Sequence, residues 1–185
     1  MDEKTYVKII HDFSDKFNNF IILLEDIKKE IESETIQKLL SSGHMYGEFD
    51  IQIFPDSYIN SIIDIKDKTI VDPSKFCVRF NRFWFEDKIL MCEYEYTDTP
   101  YGKLFKLLKE GYDKRYSGYI KFAPRCFGTI EEYTDVNIVR NFRLITFDVQ
   151  CLKPIQEIVE QIKRDNLGFL PFDFKSVLTS LSISE

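Results

Sequence analysis

The stretch Ile120–Gly128, IKFAPRCFG, follows a β-type run with a proline kink, an arginine, a cysteine and a glycine. Peptide hydrolysis needs an attacking oxygen or sulfur, a base within hydrogen-bond reach, and donors for the developing oxyanion. Arg125 and Gly128 suit the last task. Ala123 and Pro124, however, stand where the nucleophile would be sought. Cys126 is a substitute three residues on, and Ser117, in RYSGYI, is another. Either would need an imidazole, and the chain has two, His11 and His44. The plainer reading makes Cys126 a small buried side chain, Ser117 a turn residue, His44 a loop residue and His11 a structural histidine. The carboxylate pairs Glu86-Asp87, Glu131-Glu132 and Asp64/Asp67 fall in expected turns, where charge is solvated.

Cys77, Cys92, Cys126 and Cys151 lie far apart with no CxxC pair, so no structural metal site is expected. They read as reduced thiols packed in a core, and no cofactor is implied. A net charge of −6 argues against a nucleic-acid partner. The charged start, MDEKTY, is unlike a signal peptide, and the longest apolar run, Phe20–Leu24, is too short to span a bilayer. These features imply a soluble protein made inside the cell. Seventeen Phe, ten Tyr and one Trp make 15% of the chain aromatic, which favours a sheet-rich core.

The elements that must position these groups follow from periodicity. TYVKII (5–10) predicts a strand. Phe20, Leu23, Leu24, Ile27 and Ile31 predict an amphipathic helix over 18–32. Ser33 caps a second helix that ends at Gly43. Residues 44–75 mix turn residues with one or two small strands. Residues 76–96 predict a hairpin turning at Glu86-Asp87-Lys88 and burying Trp84. Thr99 caps a helix that ends before Gly111, with Leu104, Phe105, Leu107 and Leu108 as its buried stripe. A strand at 118–123 enters the IKFAPRCFG loop, and a long strand covers 137–149. Pro154 opens a last helix on Ile155, Ile158, Val159 and Ile162, and no period is evident after Gly168. The order predicts an α+β domain around an antiparallel sheet or small barrel with flanking helices.

In sequence order the chain gives Gly47-Glu48-Phe49-Asp50-Ile51-Gln52, Val71-Asp72-Pro73, Trp84 in the hairpin, and a helix closed by Gly111. Ala123-Pro124-Arg125-Cys126-Phe127-Gly128, Asn141-Phe142-Arg143-Leu144 and Asp148 follow. This succession resembles the prohead proteases of tailed bacteriophages, serine proteases of capsid maturation that share a barrel with the herpesvirus assemblins. Their pattern runs G-E-L-N-H-P, V-D-P, a Trp hairpin, a helix, then G-V-S-S-R-x-x-G. The resemblance covers roughly 5–155 and implies a domain over 1–155, followed by a helix and aromatic tail over 156–185. On it, the family's histidine corresponds to Ile51 and its serine to Ala123. Neither replacement carries a reactive group.

The expectation is therefore a catalytically silent protein of the phage head, not an enzyme. It would bind capsid, portal, scaffold or vertex proteins, or further copies of itself, with neither nucleic acid nor membrane as partner. It would reside in the virion, or in the host cytoplasm during assembly. A former cleft lined by Glu48, Asp50, Arg125 and Gly128 would hold an uncut, strand-like peptide. The tail, with Phe169, Leu170, Phe172 and Phe174, either docks on a neighbour or folds back. The alternative is an active maturation protease using Cys126 or Ser117 with His44. His44 stands seven residues from Ile51, up to about 20 Å along an extended chain.

Overall fold

The computed structural model describes residues 5–10, 20–50, 70–110, 116–134, 137–166, 168 and 171–183. Strand β1 (Thr5–Ile10) pairs antiparallel with β5 (Ile89–Tyr96), Val7 opposite Cys92, and the register shifts between Lys8 and Ile10. The expected helix over 18–32 begins later. Phe20–Ile22 is strand β2, and α1 covers Leu24–Ile31. The Phe-Ile-Ile run suits a strand, and its pairing with residues 137–139 overrides the helical period. Ser33 caps helix α2 (Glu34–Ser41) by accepting the Ile36 amide at 3.3 Å. Gly43, at φ +70°, then takes the left-handed turn that ends it.

Strand β3 (Tyr46–Asp50) follows, and β4 (Phe76–Glu86) and β5 form the hairpin, turning at Asp87-Lys88 with Asp87 at φ 56°. Helix α3 (Pro100–Glu110) is capped by Thr99, whose hydroxyl accepts the Gly102 amide at 3.0 Å. A side chain at Gly102 would meet the Thr97 carbonyl oxygen at 2.1 Å, so only glycine fits there. Leu104, Phe105 and Leu108 are buried, while Leu107 remains half-exposed. Strands β6 (Ile120–Glu132) and β7 (Asn137–Cys151) lead to α4 (Ile155–Asp165) and α5 (Phe172–Ser180).

Seven strands hydrogen-bond in the order β1-β5-β4-β3-β7-β2, with β6 beside that path on β7. The α+β class holds, with two corrections. The order is open, so the sheet does not close into a barrel among the described residues. Nor is it wholly antiparallel: Ile22 faces Val139 and Phe49 faces Val149 in parallel pairs. Helices α1 and α2 carry the chain back between β2 and β3, so both strands run the same way. The expected loop at IKFAPRCFG is also strand, since β6 continues through Pro124. A proline lacks an amide hydrogen and is tolerated on a strand that pairs along one edge.

Two compact units divide the chain. The first comprises Met1–Tyr46, Arg79–Glu95 and Phe122–Phe147. Its core is aromatic: the Phe80 ring lies 5.1 Å from Phe83, 5.9 Å from Phe122 and 6.3 Å from Phe147. In the same unit the buried Glu30 of α1 accepts the Leu144 amide at 3.2 Å and Arg143 Nη1 at 3.3 Å, tying α1 to β7. The second unit comprises Gly47–Val78, Tyr96–Lys121 and Asp148–Glu185. Phe105 there meets Phe49 at 5.9 Å and Tyr96 at 5.2 Å, while Phe174, Val177 and Leu178 bury one face of α5.

Candidate functional site

Strand β6 runs from core to surface. Phe122 and Ala123 are buried, residues 124–126 half-buried, and residues 127–132 exposed. Ala123 follows directly on Phe122, whose ring packs against Tyr94 at 5.5 Å; both residues belong to the first unit's core. Cys126 is the one cysteine of the four that is not buried. Burial still pushes its thiol up to about 11. At neutral pH it carries a thiolate about one time in ten thousand, so attack by this sulfur requires a base during the reaction.

His44 lies at the end of the first unit's helical pair, exposed, with Nδ1 2.9 Å from the Ser42 hydroxyl. Its Nε2 is the nitrogen left for proton transfer. Ser117 begins a 3-10 turn, Ser117–Tyr119, and is half-exposed. Gly128 has a structural duty: a Cβ there would meet Val139 Cγ1 at 2.3 Å and the Arg140 carbonyl oxygen at 2.9 Å. Strand β7 approaches too closely for any side chain.

Glu48 and Asp50 belong to the second unit, whereas Arg125 and Gly128 belong to the first. Glu48 is buried in β3 and joins a chain of acceptors. Its amide donates to Asp148 Oδ1 at 3.1 Å, and its own Oε1 accepts the Asp72 amide at 2.5 Å. Asp72 in turn accepts from the Ser74 hydroxyl at 2.7 Å and its amide at 2.9 Å, which hold its carboxyl below the usual range. Cys77 donates to the Gly47 carbonyl at 3.4 Å, and burial, reinforced by Asp148 and Glu48, pushes its thiol well up. Asp50 is half-buried opposite Gln150. Asp72 and Asp148 stand among the positions that carry the family resemblance, without an expected role at the site, and nothing in the sequence announced the buried role of Glu30.

Other expected sites divide. Phe174 is fully buried and belongs to the core, which corrects its place in a docking tail; Phe172 is 83% exposed. Phe169, Leu170, Ile51, His11, Gly111, Asp64 and Asp67 lie outside the described residues. Trp84 is half-exposed, not core. Its Nε1 donates to Glu86 at 3.0 Å and Arg82 stacks 5.3 Å from its ring. Among the described residues no group of three or more His, Cys, Asp or Glu side chains is arranged to hold a metal.

No protein-family model matches the chain, and no curated protein does. Among solved structures, the fold is similar to that of the bacteriophage T4 capsid assembly protease, gp21. The TM-score is 0.57 at 15% identity, covering 78% of this chain and 80% of that one. The likeness supports the fold that the ordered motifs suggested. It also corrects the expectation of a non-enzyme, because the protein that shares the fold is a protease. That expectation leaned on Ile51, which lies outside the described residues, and on Ala123, which is buried in β6.

Proposed function

We propose that this chain works in phage head assembly as a protease of the capsid-assembly type, acting on head proteins: capsid, portal, scaffold or vertex components. The observation that carries the reading is the likeness to the T4 capsid assembly protease over 78% of the chain. Cys126 is the proposed nucleophile. It lies on the strand that bears Arg125, and its three fellow cysteines are buried. His44, the histidine among the described residues, is the proposed base. Its Nε2 takes the thiol proton as sulfur attacks the scissile carbonyl, then returns it to the leaving amine. Arg125 stabilises the oxyanion. No helix among the described residues is long and apolar enough to cross a membrane. The proposed location is the assembling head or the host cytoplasm.

The test is incubation of the purified chain with head proteins of the phage that encodes it, with new termini mapped by mass spectrometry. Specific cleavage that persists in Ser117→Ala and disappears in Cys126→Ala and His44→Ala is the expected result. Cleavage undiminished in Cys126→Ala, or no cleavage by the wild type, would overturn it.

A further inference from the structure

Strand β6 hydrogen-bonds to β7 along one edge and, among the described residues, to no strand along the other. Over residues 127–132 it is also exposed, so the backbone groups of that outer edge face solvent. A bare edge of this kind is a template for another strand, and folded proteins guard it with charge. Here the guard is incomplete. Phe127 is 39% exposed, Ile130 56%, and Tyr133, directly after the strand, 49%. These are three of the six exposed large apolar side chains among the described residues, gathered on one short edge.

Their spacing points to the occupant. Phe127 and Tyr133 stand three residues either side of Ile130. When two identical strands pair antiparallel about a two-fold axis, one residue faces itself, and every other faces the residue equally far beyond it. With the axis at Ile130, Phe127 of each copy faces Tyr133 of the other, and Ile130 faces Ile130. Side chains alternate between faces, so both aromatic pairs fall on one face of the joined sheet and the isoleucine pair on the other. The charges suit the same register. Glu132 falls opposite Gly128 and Glu131 opposite Thr129, so no carboxylate directly faces another. The two Glu131 side chains, diagonal across the join, each bring their own Arg140 counterion at 2.7 Å. Moving the axis to Thr129 or Glu131 parts the aromatic pairs, and at Glu131 it sets two carboxylates face to face.

We infer that two copies of this chain join through β6, antiparallel over residues 127–133 and centred on Ile130, so that their sheets become continuous. A strand of unrelated sequence gains nothing from this symmetry, whereas a second copy satisfies both edges at once. The join is small, so the dimer is weak and concentration-dependent, with a dissociation constant on the order of 100 µM. The inference does not depend on the protease reading, and its test reads association, not cleavage.

Sedimentation equilibrium of the full chain, from about 10 µM to about 1 mM, is expected to show monomer and dimer in exchange. Ile130→Lys sets two like charges opposite each other at an exposed position, so it should weaken association about tenfold and leave the fold intact. Single cysteines in a Cys126→Ser chain read the register. Under mild oxidation Ile130→Cys should cross-link to a dimer, and Thr129→Cys and Glu131→Cys should do so far less, because only a residue on the axis meets its own copy within disulfide reach. A wild-type chain that stays monomeric throughout that range would overturn the inference. So would a dimer that cross-links as well through residue 129 or 131 as through residue 130. The sedimentation arm uses only the wild-type chain, so it stands even if a variant folds poorly.

Discussion

Glu30 joins two elements through a single side chain, and its removal has a calculable effect. The residue is 6% exposed, and its two oxygens divide the work. Oε1 accepts the amide of Leu144, itself buried, while Oε2 meets Arg143, whose side chain is 72% exposed. The Arg143 pair, open to solvent on one side, contributes no more than about 1 kcal/mol. The Leu144 contact matters more, because without it a buried N–H loses its partner, a penalty of about 1–3 kcal/mol. Glu30→Met keeps most of the volume and removes both acceptors, so a loss of about 2–4 kcal/mol is expected. Glu30→Gln keeps an amide oxygen for Leu144 and gives up only the charge, so its loss is expected to stay near 1 kcal/mol. Equilibrium urea unfolding, with the slope checked for constancy, measures both. If Glu30→Gln proves as damaging as Glu30→Met, the charge rather than the backbone acceptor carries the link, and the reasoning fails.

Gly102→Ala and Gly128→Ala force a Cβ against Thr97 and against Val139 and Arg140, so each should lower stability by about 1–3 kcal/mol, seen as a fall in urea midpoint. Phe174→Ala should lose about 3–5 kcal/mol, whereas Phe172→Ser should stay within about 0.5 kcal/mol of wild type. Thermal scans distinguish the two residues. Cys126 releases its proton near pH 11 when folded and near pH 9 when unfolded, so the folded state holds the proton more tightly. Its contribution is full below about pH 9 and is lost as pH climbs toward 11, and the stability gap between wild type and Cys126→Ala should move against the wild type across that window. Iodoacetamide labelling of Cys126 should be slow at neutral pH and accelerate over the same range.

Local chemistry made much of this architecture readable beforehand. Thr99-Pro100 opening α3, Ser33 capping α2, and the hydrophobic runs flanking Asp87-Lys88 all act through neighbours a few residues away. What escaped reading depends on distant partners. Phe20–Ile22 carries a helical period, yet becomes strand because Asn137–Val139 lies alongside. The parallel pairing of β3 with β7 is a long-range fact of the same kind. Helix α5 escaped for a different reason: its apolar positions Phe174, Val177 and Leu178 fit a helix, but neighbouring aromatics outside that face blur the period. Around Glu48, the motifs held Asp72 and Asp148 in order, but their hydrogen bonds to Glu48 span 24 and 100 residues and are set by long-range packing.

Strand β7 has a bearing on how the protein is made. It begins at Asn137 and supplies neighbours to β2 and β3, with Glu48 and Asp148 joined across 100 residues. A ribosome must therefore deliver nearly the whole polypeptide before β2 meets its mate or β3 fills its second edge. Until then the nascent N-terminal half carries apolar β segments with unfilled edges, which makes it a client for chaperones and a hazard for clumping at high expression.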